Sequence, residues 1–185
     1  MGEIDDAIER ADRESFTRQP PKTLKGQIGY LLKQMGSAKA VAQELGVTAD
    51  SVNRYRRGAR KHARADIAAK INDAVRARWQ PQVRKRRQKQ AATASGITVE
   101  TRARFGYTAP VGTTDDGRFR RLTVHLPPTY AQRLFDARNT GANDQQMRQI
   151  IAEGFKEIYF QDGGVRATGL SDVTLNDIDY LDLDY

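Results

Sequence analysis

Apolar residues recur at helical spacing through the first half of the chain and alternate with polar ones through part of the second. Between Lys22 and Met35, Leu24, Ile28, Leu31, Leu32 and Met35 share one helical face, and Gly36 supplies a stop. The next stretch, SAKAVAQELGVTADSVNRYRRGARK from Ser37 to Lys61, carries Val41, Ala42 and Leu45 as one stripe. Gly46 interrupts it, and Val52 and Tyr55 begin another. This predicts two short helices meeting at a tight turn, a helix-turn-helix. Small Ala42 lets the helices cross closely, Gly46 tolerates a left-handed turn, and Val47, Val52 and Tyr55 fill the angle. Thr48 caps the second helix and Gly58 ends it. A supporting helix follows over Ala63 to Trp79, with Ile67, Ile71, Ala74 and Val75 on one side and Pro81 as its end. Ahead of all these, residues 3–18 read as a charged helix whose narrow face of Ile4, Ala7, Ile8 and Ala11 is suited to a partner, stopped by Pro20-Pro21.

The period changes to two near residue 97. Ile97, Val99, Phe105 and Tyr107 predict one strand; Phe119, Leu122, Val124 and Leu126 predict another, with Arg121, Thr123 and His125 on its opposite face. Between them GTTDDG reads as an exposed hairpin tip. Pro127-Pro128 opens a helix through Arg138 carrying Tyr130, Leu134 and Phe135. A longer amphipathic helix runs from Asp144 to Phe160, with Met147, Ile150, Ile151, Phe155, Ile158 and Tyr159 inward. RRLTVHL followed by two helices also fits a ribbon-helix-helix subunit, but an internal partner strand ranks the intramolecular sheet above a dimeric ribbon. Leu170 to Tyr185 is acidic with Leu, Ile and Tyr interleaved, a partner-docking tail or a disordered end.

The expected fold class is therefore α+β, with an N-terminal all-α helix-turn-helix domain followed by a small β-hairpin plus two-helix domain and an acidic tail. The expected boundaries are 1–21 for the charged helix, 22–81 for the helix-turn-helix domain, 82–96 for a basic linker or arm, 97–162 for the hairpin and two helices, and 163–185 for the tail.

Charge separates a helix-turn-helix from an ordinary helical hairpin. Residues 22–90 carry 18 Lys and Arg against 4 Asp and Glu, a local charge of +14, whereas residues 141–185 carry 3 against 9. A purely structural hairpin gains nothing from such like-charge crowding, so the first region is read as binding DNA. Thr48, Asp50, Ser51, Asn53, Arg54, Arg56 and Arg57 are the candidate contacts on the recognition helix, with Arg60 and Lys61 beyond it. The run QVRKRRQKQ adds Arg84, Lys85, Arg86 and Arg87, either a solvated helix or a flexible arm, with tracking of phosphates or entry into a minor groove the preferred role.

With no cysteine, disulfides, thiolate metal sites and cysteine nucleophiles are excluded, and two lone histidines make no cluster. No metal site or cofactor of the chain's own is expected. The acidic start lacks a basic n-region and an apolar h-region, and no stretch approaches the roughly 20 apolar residues of a membrane span, so no membrane partner and a cytoplasmic location are expected.

Four passages, ESFTRQPPKTLKGQIGYLLKQ, QELGVTADSVNRYRRGARKHARADIA, ITVETRARFGYTAPVGTTDDGRFRRLTVHLPP and IIAEGFKEIYFQDGG, extend the reading. Through them nearly the whole chain resembles the telomere terminal proteins (Tpg family) of Streptomyces-type linear chromosomes and plasmids. The resemblance implies a protein that becomes covalently joined through a threonine hydroxyl to DNA 5′ ends and primes DNA synthesis in end patching. It implies telomeric DNA, a telomere-associated protein and a DNA polymerase as partners, with divalent metal (Mg) supplied by the polymerase. The nucleoid, at the ends of linear DNA, is the implied location; a homodimer stays open. The family's priming threonine falls on Thr114, so the chain would be a nucleotide acceptor and not itself an enzyme.

The residues alone name Thr113, Thr114, Ser95, Tyr107 and Tyr130 as candidate hydroxyls. Gly112 and Gly117 flank Thr114 and Asp115 symmetrically. Asp115 and Asp116 suit either metal-bound waters or a tight turn, the turn preferred. The rival reading is a helix-turn-helix transcriptional regulator with a C-terminal dimerisation domain. An autonomous nucleotidyltransferase ranks last, because a Gly-rich phosphate loop and a spaced carboxylate trio are missing.

Overall fold

Every helix from Leu24 to Arg57 begins on a hydroxyl and ends on a glycine, and those caps fix the first half of the molecule. In the computed structural model, which describes residues 2–108 and 118–185, Thr23, Ser37 and Thr48 cap α2 (Leu24–Met35), α3 (Ala38–Leu45) and α4 (Ala49–Arg57), each accepting the backbone N–H three residues on. Gly36, Gly46 and Gly58 end them in the left-handed region, φ 79°, 66° and 76°. α5 (Ala65–Arg78) packs on α2 and α3. Ile28, Leu31, Val41, Leu45, Val52, Tyr55, Ile67, Ile71 and Val75 form the core of this unit, which spans Phe16–Pro81. Its ends are tied together by Trp79, whose indole N–H donates to the Arg18 carbonyl, and by Tyr30, which stacks on Trp79 at 4.8 Å and donates to the Arg78 carbonyl.

The second unit joins the N-terminal segment through Ser15 to Gln82–Tyr185. Its sheet has the order β2-β1-β3, all antiparallel. β1 (Ile97–Thr108) is central, paired with β2 (Arg118–Leu126) in the register Val99↔Val124 and with β3 (Asp172–Asp184) in the register Val99↔Leu183. Ile97, Val99, Ala103, Phe105, Leu122, Val124 and Leu126 point to one face. There they meet α7 (Pro128–Asn139), α8 (Asp144–Gly154) and the wider π-helical turn Phe155–Phe160 that continues it. Gly96 is required at the entry to β1: a Cβ there would sit 2.3 Å from the Leu126 carbonyl oxygen, and its φ is 72°. The chain is thus α+β, with most of its helices N-terminal.

Three expectations change. The acidic segment is neither disordered nor a docking tail. Its leucines and Val173 alternate with aspartates because it is a thirteen-residue strand, and Val173, Leu175, Leu181 and Leu183 bury their side chains in the unit's own core. Two register shifts let it bend along β1. The charged N-terminal helix needs no outside partner for its apolar face. As α1 (Glu3–Glu14) it sets Ile4, Ala7 and Ile8, all fully buried, into the same core. Asp144 of α8 accepts the Ile4 N–H at 2.9 Å, a cap borrowed from another helix where Gly2 supplies none. The basic segment is no loose arm either. α6 (Pro81–Gln90) is a full helix that runs into a π-helical turn at Ala91–Ser95.

An ionic cluster explains how α6 is held. Arg84, 9% exposed, donates both guanidinium nitrogens to Glu9 at 2.7 and 2.8 Å and one of them also to Asp12 at 3.3 Å. Gln88 and the Tyr185 hydroxyl donate to Asp12, and Arg138 lies 2.6 Å from Asp5 and 3.6 Å from both Glu9 and Asp12. Burial alone would raise the Glu9 pKa, but hydrogen bonding to Arg84 and the charges of Arg84, Arg13 and Arg138 outweigh it and hold the carboxyl below the usual glutamate range. A carboxyl depressed in the folded state stabilises fully above its ordinary pKa and loses that contribution as pH falls through the lower folded value. Urea midpoints measured from about pH 7 down to about pH 3 should therefore fall, and Glu9→Gln should flatten the acid limb of that curve. Parallel curves for the two proteins would show that Glu9 is not the group responsible.

Candidate nucleic-acid interface

The helix-turn-helix is built from one buried and one open side of α4. Val52 and Tyr55 face Val41, Ala42 and Leu45 of α3, and the Val47 N–H returns to the Ala42 carbonyl at 2.9 Å to close the turn. Helical periodicity then sends Asp50, Asn53, Arg54 and Arg57 to the far side, with Ser51 and Arg56 on the flanks. Asp50, Arg54, Arg56 and Arg57 are exposed, and Ser51 and Asn53 are half-buried. Arg54 is not a loose cation. Its Nε lies 2.8 Å from Asp50 one turn earlier, which holds the guanidinium along the helix surface. Thr48 is exposed, but its hydroxyl already accepts the Ser51 N–H and shares a hydrogen bond with the Ser51 hydroxyl. It serves the helix first. Arg60 and Lys61 follow Gly58 and are exposed, so cationic side chains continue past the C-terminal end of α4.

The four cations of the basic run separate into different roles. Arg84 is a correction: buried against Glu9 and Asp12, it cannot reach a phosphate without breaking the cluster. Lys85 and Arg86 lie exposed on α6, and Arg87 is half-buried with its Nε enclosed. Sequence reasoning missed the Arg84 cluster, although a signal was present. Asp12 continues the four-residue line of Ile4 and Ile8 on α1, and a carboxylate on a buried line demands a buried cation.

Thr114 and Thr113 lie outside the described residues, in the segment that follows β1 and precedes β2. Of the competing hydroxyls, Tyr130 is buried, and burial followed by its hydrogen bond to Glu157 pushes its pKa up. Tyr107 is half-buried beside Arg120, its pKa raised by burial despite the nearby arginines. Both phenols are thus harder to ionise than in water. Ser95 is exposed at the end of its π-helical turn.

Among the described residues no group of three or more His, Asp or Glu is placed to hold a metal ion, and no helix is long and apolar enough to cross a membrane. Comparison with family models, with curated proteins and with solved structures gave no match to this chain.

Proposed function

We propose that this protein binds the ends of linear DNA and serves as the primer on which a DNA polymerase starts end patching, becoming a telomere terminal protein linked through Thr114. The observation that carries the binding half is the doubly capped α3–α4 pair, with Asp50, Asn53, Arg54 and Arg57 on its open side and Arg60 and Lys61 continuing the charge. The priming half is supported by the resemblance of the four passages and by the unfavourable settings of Tyr130 and Tyr107. In the step proposed, the Thr114 hydroxyl oxygen bonds to the α-phosphorus of a deoxynucleoside triphosphate. The bond to the β-phosphate breaks, pyrophosphate leaves, and the hydroxyl proton passes to the polymerase site. Divalent metal held by the polymerase would activate the hydroxyl and stabilise the departing pyrophosphate. A telomere-associated protein would share the DNA end, and the nucleoid would be the place of work.

The direct test is chemical. DNA ends from cells carrying this protein should keep it through boiling detergent and release it to protease, whereas a helix-turn-helix regulator would dissociate. Binding to duplex should also depend steeply on salt, with a log-log slope of about −0.9 per neutralised phosphate. Replacing Arg57, Arg60 and Lys61 together by Ala should reduce that slope by about two to three units. An unchanged slope would remove these cations from the interface.

A further inference from the structure

The sheet's two faces are unlike. One is sealed by α7 and α8; the other carries Arg102, Arg104, Phe119, Arg121, Thr123 and His125, all exposed. Phe119 was expected inside with Leu122, but an odd-numbered position cannot share a strand face with an even one, and its ring stands 49% exposed. The Arg102 guanidinium lies over it at 5.8 Å, and Arg121 lies over the Tyr180 ring at 5.9 Å. Arg102 also pairs with Asp179 at 2.8 Å, Arg104 with Asp177 at 3.7 Å and Arg121 with Glu100 at 2.7 Å. These pairs are at least half exposed on the arginine side, so each is a weak, replaceable contact.

We infer that this open face is a second nucleic-acid site, one that takes single-stranded polynucleotide by stacking a base on Phe119 while Arg102, Arg104 and Arg121 exchange their carboxylates for phosphates. Cations interleaved with an exposed ring suit a strand that offers both phosphates and bare base faces. A protein partner would call for contiguous apolar surface, and among the described residues this face sets the rings of Phe119 and Tyr180 between charged side chains. Duplex fits poorly, since its bases are already stacked. The aspartates of β3 form an anionic rail on one side, which keeps the strand over β1 and β2. The inference uses the second unit alone and needs neither the helix-turn-helix nor Thr114.

Fluorescence anisotropy with the full chain and a labelled fifteen-nucleotide oligo-dT or oligo-U probe tests it. Phe119→Ala should weaken binding of the single strand about five- to a hundredfold, while binding of a fifteen-base-pair duplex stays unchanged. Phe119→Trp should retain affinity and show quenching on addition of the probe. Asp177→Asn with Asp179→Asn should tighten single-strand binding, because the competing carboxylates are gone. Both single strands responding alike names the shared chemistry; a response to one identifies DNA or RNA as its source. Unchanged affinity of Phe119→Ala, equal losses on single strand and duplex, or a change only in oligomeric state, the mark of a second copy on this face, would overturn the assignment. None of these readouts depends on covalent nucleotide addition.

Discussion

Thr114→Val should eliminate covalent nucleotide addition while leaving folding and DNA binding intact. With polymerase, divalent metal, telomeric template and labelled deoxynucleotides, the wild-type chain should acquire label, and the valine variant should fall to background. The substitution keeps a β-branched side chain of similar shape and removes only the oxygen that would bond to phosphorus. Thr114→Ser should keep part of the activity, because a primary hydroxyl can still attack, although its freer rotamers place it less well. Peptide mapping of the labelled protein gives the site directly. Label on Thr113, Ser95 or a tyrosine, or undiminished labelling of the valine variant, would remove Thr114 from the mechanism.

The second large effect is on stability. Arg84→Ala strips Glu9 and Asp12 of their closest cation and should cost about 3–5 kcal/mol, nearer the lower figure because Arg138 stays within 3.6 Å of both carboxylates. Replacing the pair together, Glu9→Leu with Arg84→Met, should cost less, since only Asp12 then loses a cation and it keeps Gln88, Tyr185 and Arg138. Denaturant melts of the single and double variants decide the matter. If the two lose equal stability, the ion pair is not what holds α6 to α1.

The contrast between Arg84 and its neighbours marks how far the residues alone could lead. The helix-turn-helix was readable because each of its parts is local: a hydroxyl cap, a stripe three and four residues apart, and a glycine with positive φ at Gly46 and Gly58. The same holds for the β1–β2 alternation. What escaped was every feature made by distant segments. The residues alone make Arg84 a phosphate contact, because a run of cations carries no mark of the carboxylates that one member meets 72 and 75 positions away. β3 reads as a tail because its aspartates outweigh the interleaved apolar residues and bulges break its period midway. Hydrophobicity puts Phe119 in the core, and the parity of its own strand puts it outside.

The chain enters one unit with α1, leaves it to build the other between Phe16 and Pro81, and returns. During synthesis this order imposes a wait. At about 5–20 residues per second, roughly 10–35 s separate α1 from the last residues of β3, while a small helical unit with local contacts folds in milliseconds or less. The helix-turn-helix is therefore complete long before its host. α1, twelve residues long, is too short to hold its helix alone, and the core that Ile4, Ala7 and Ile8 enter is completed only when Leu181 and Leu183 of β3 have been made. Until β3 is made, α1 is an acidic, loosely structured peptide whose many charges keep three apolar side chains in solution.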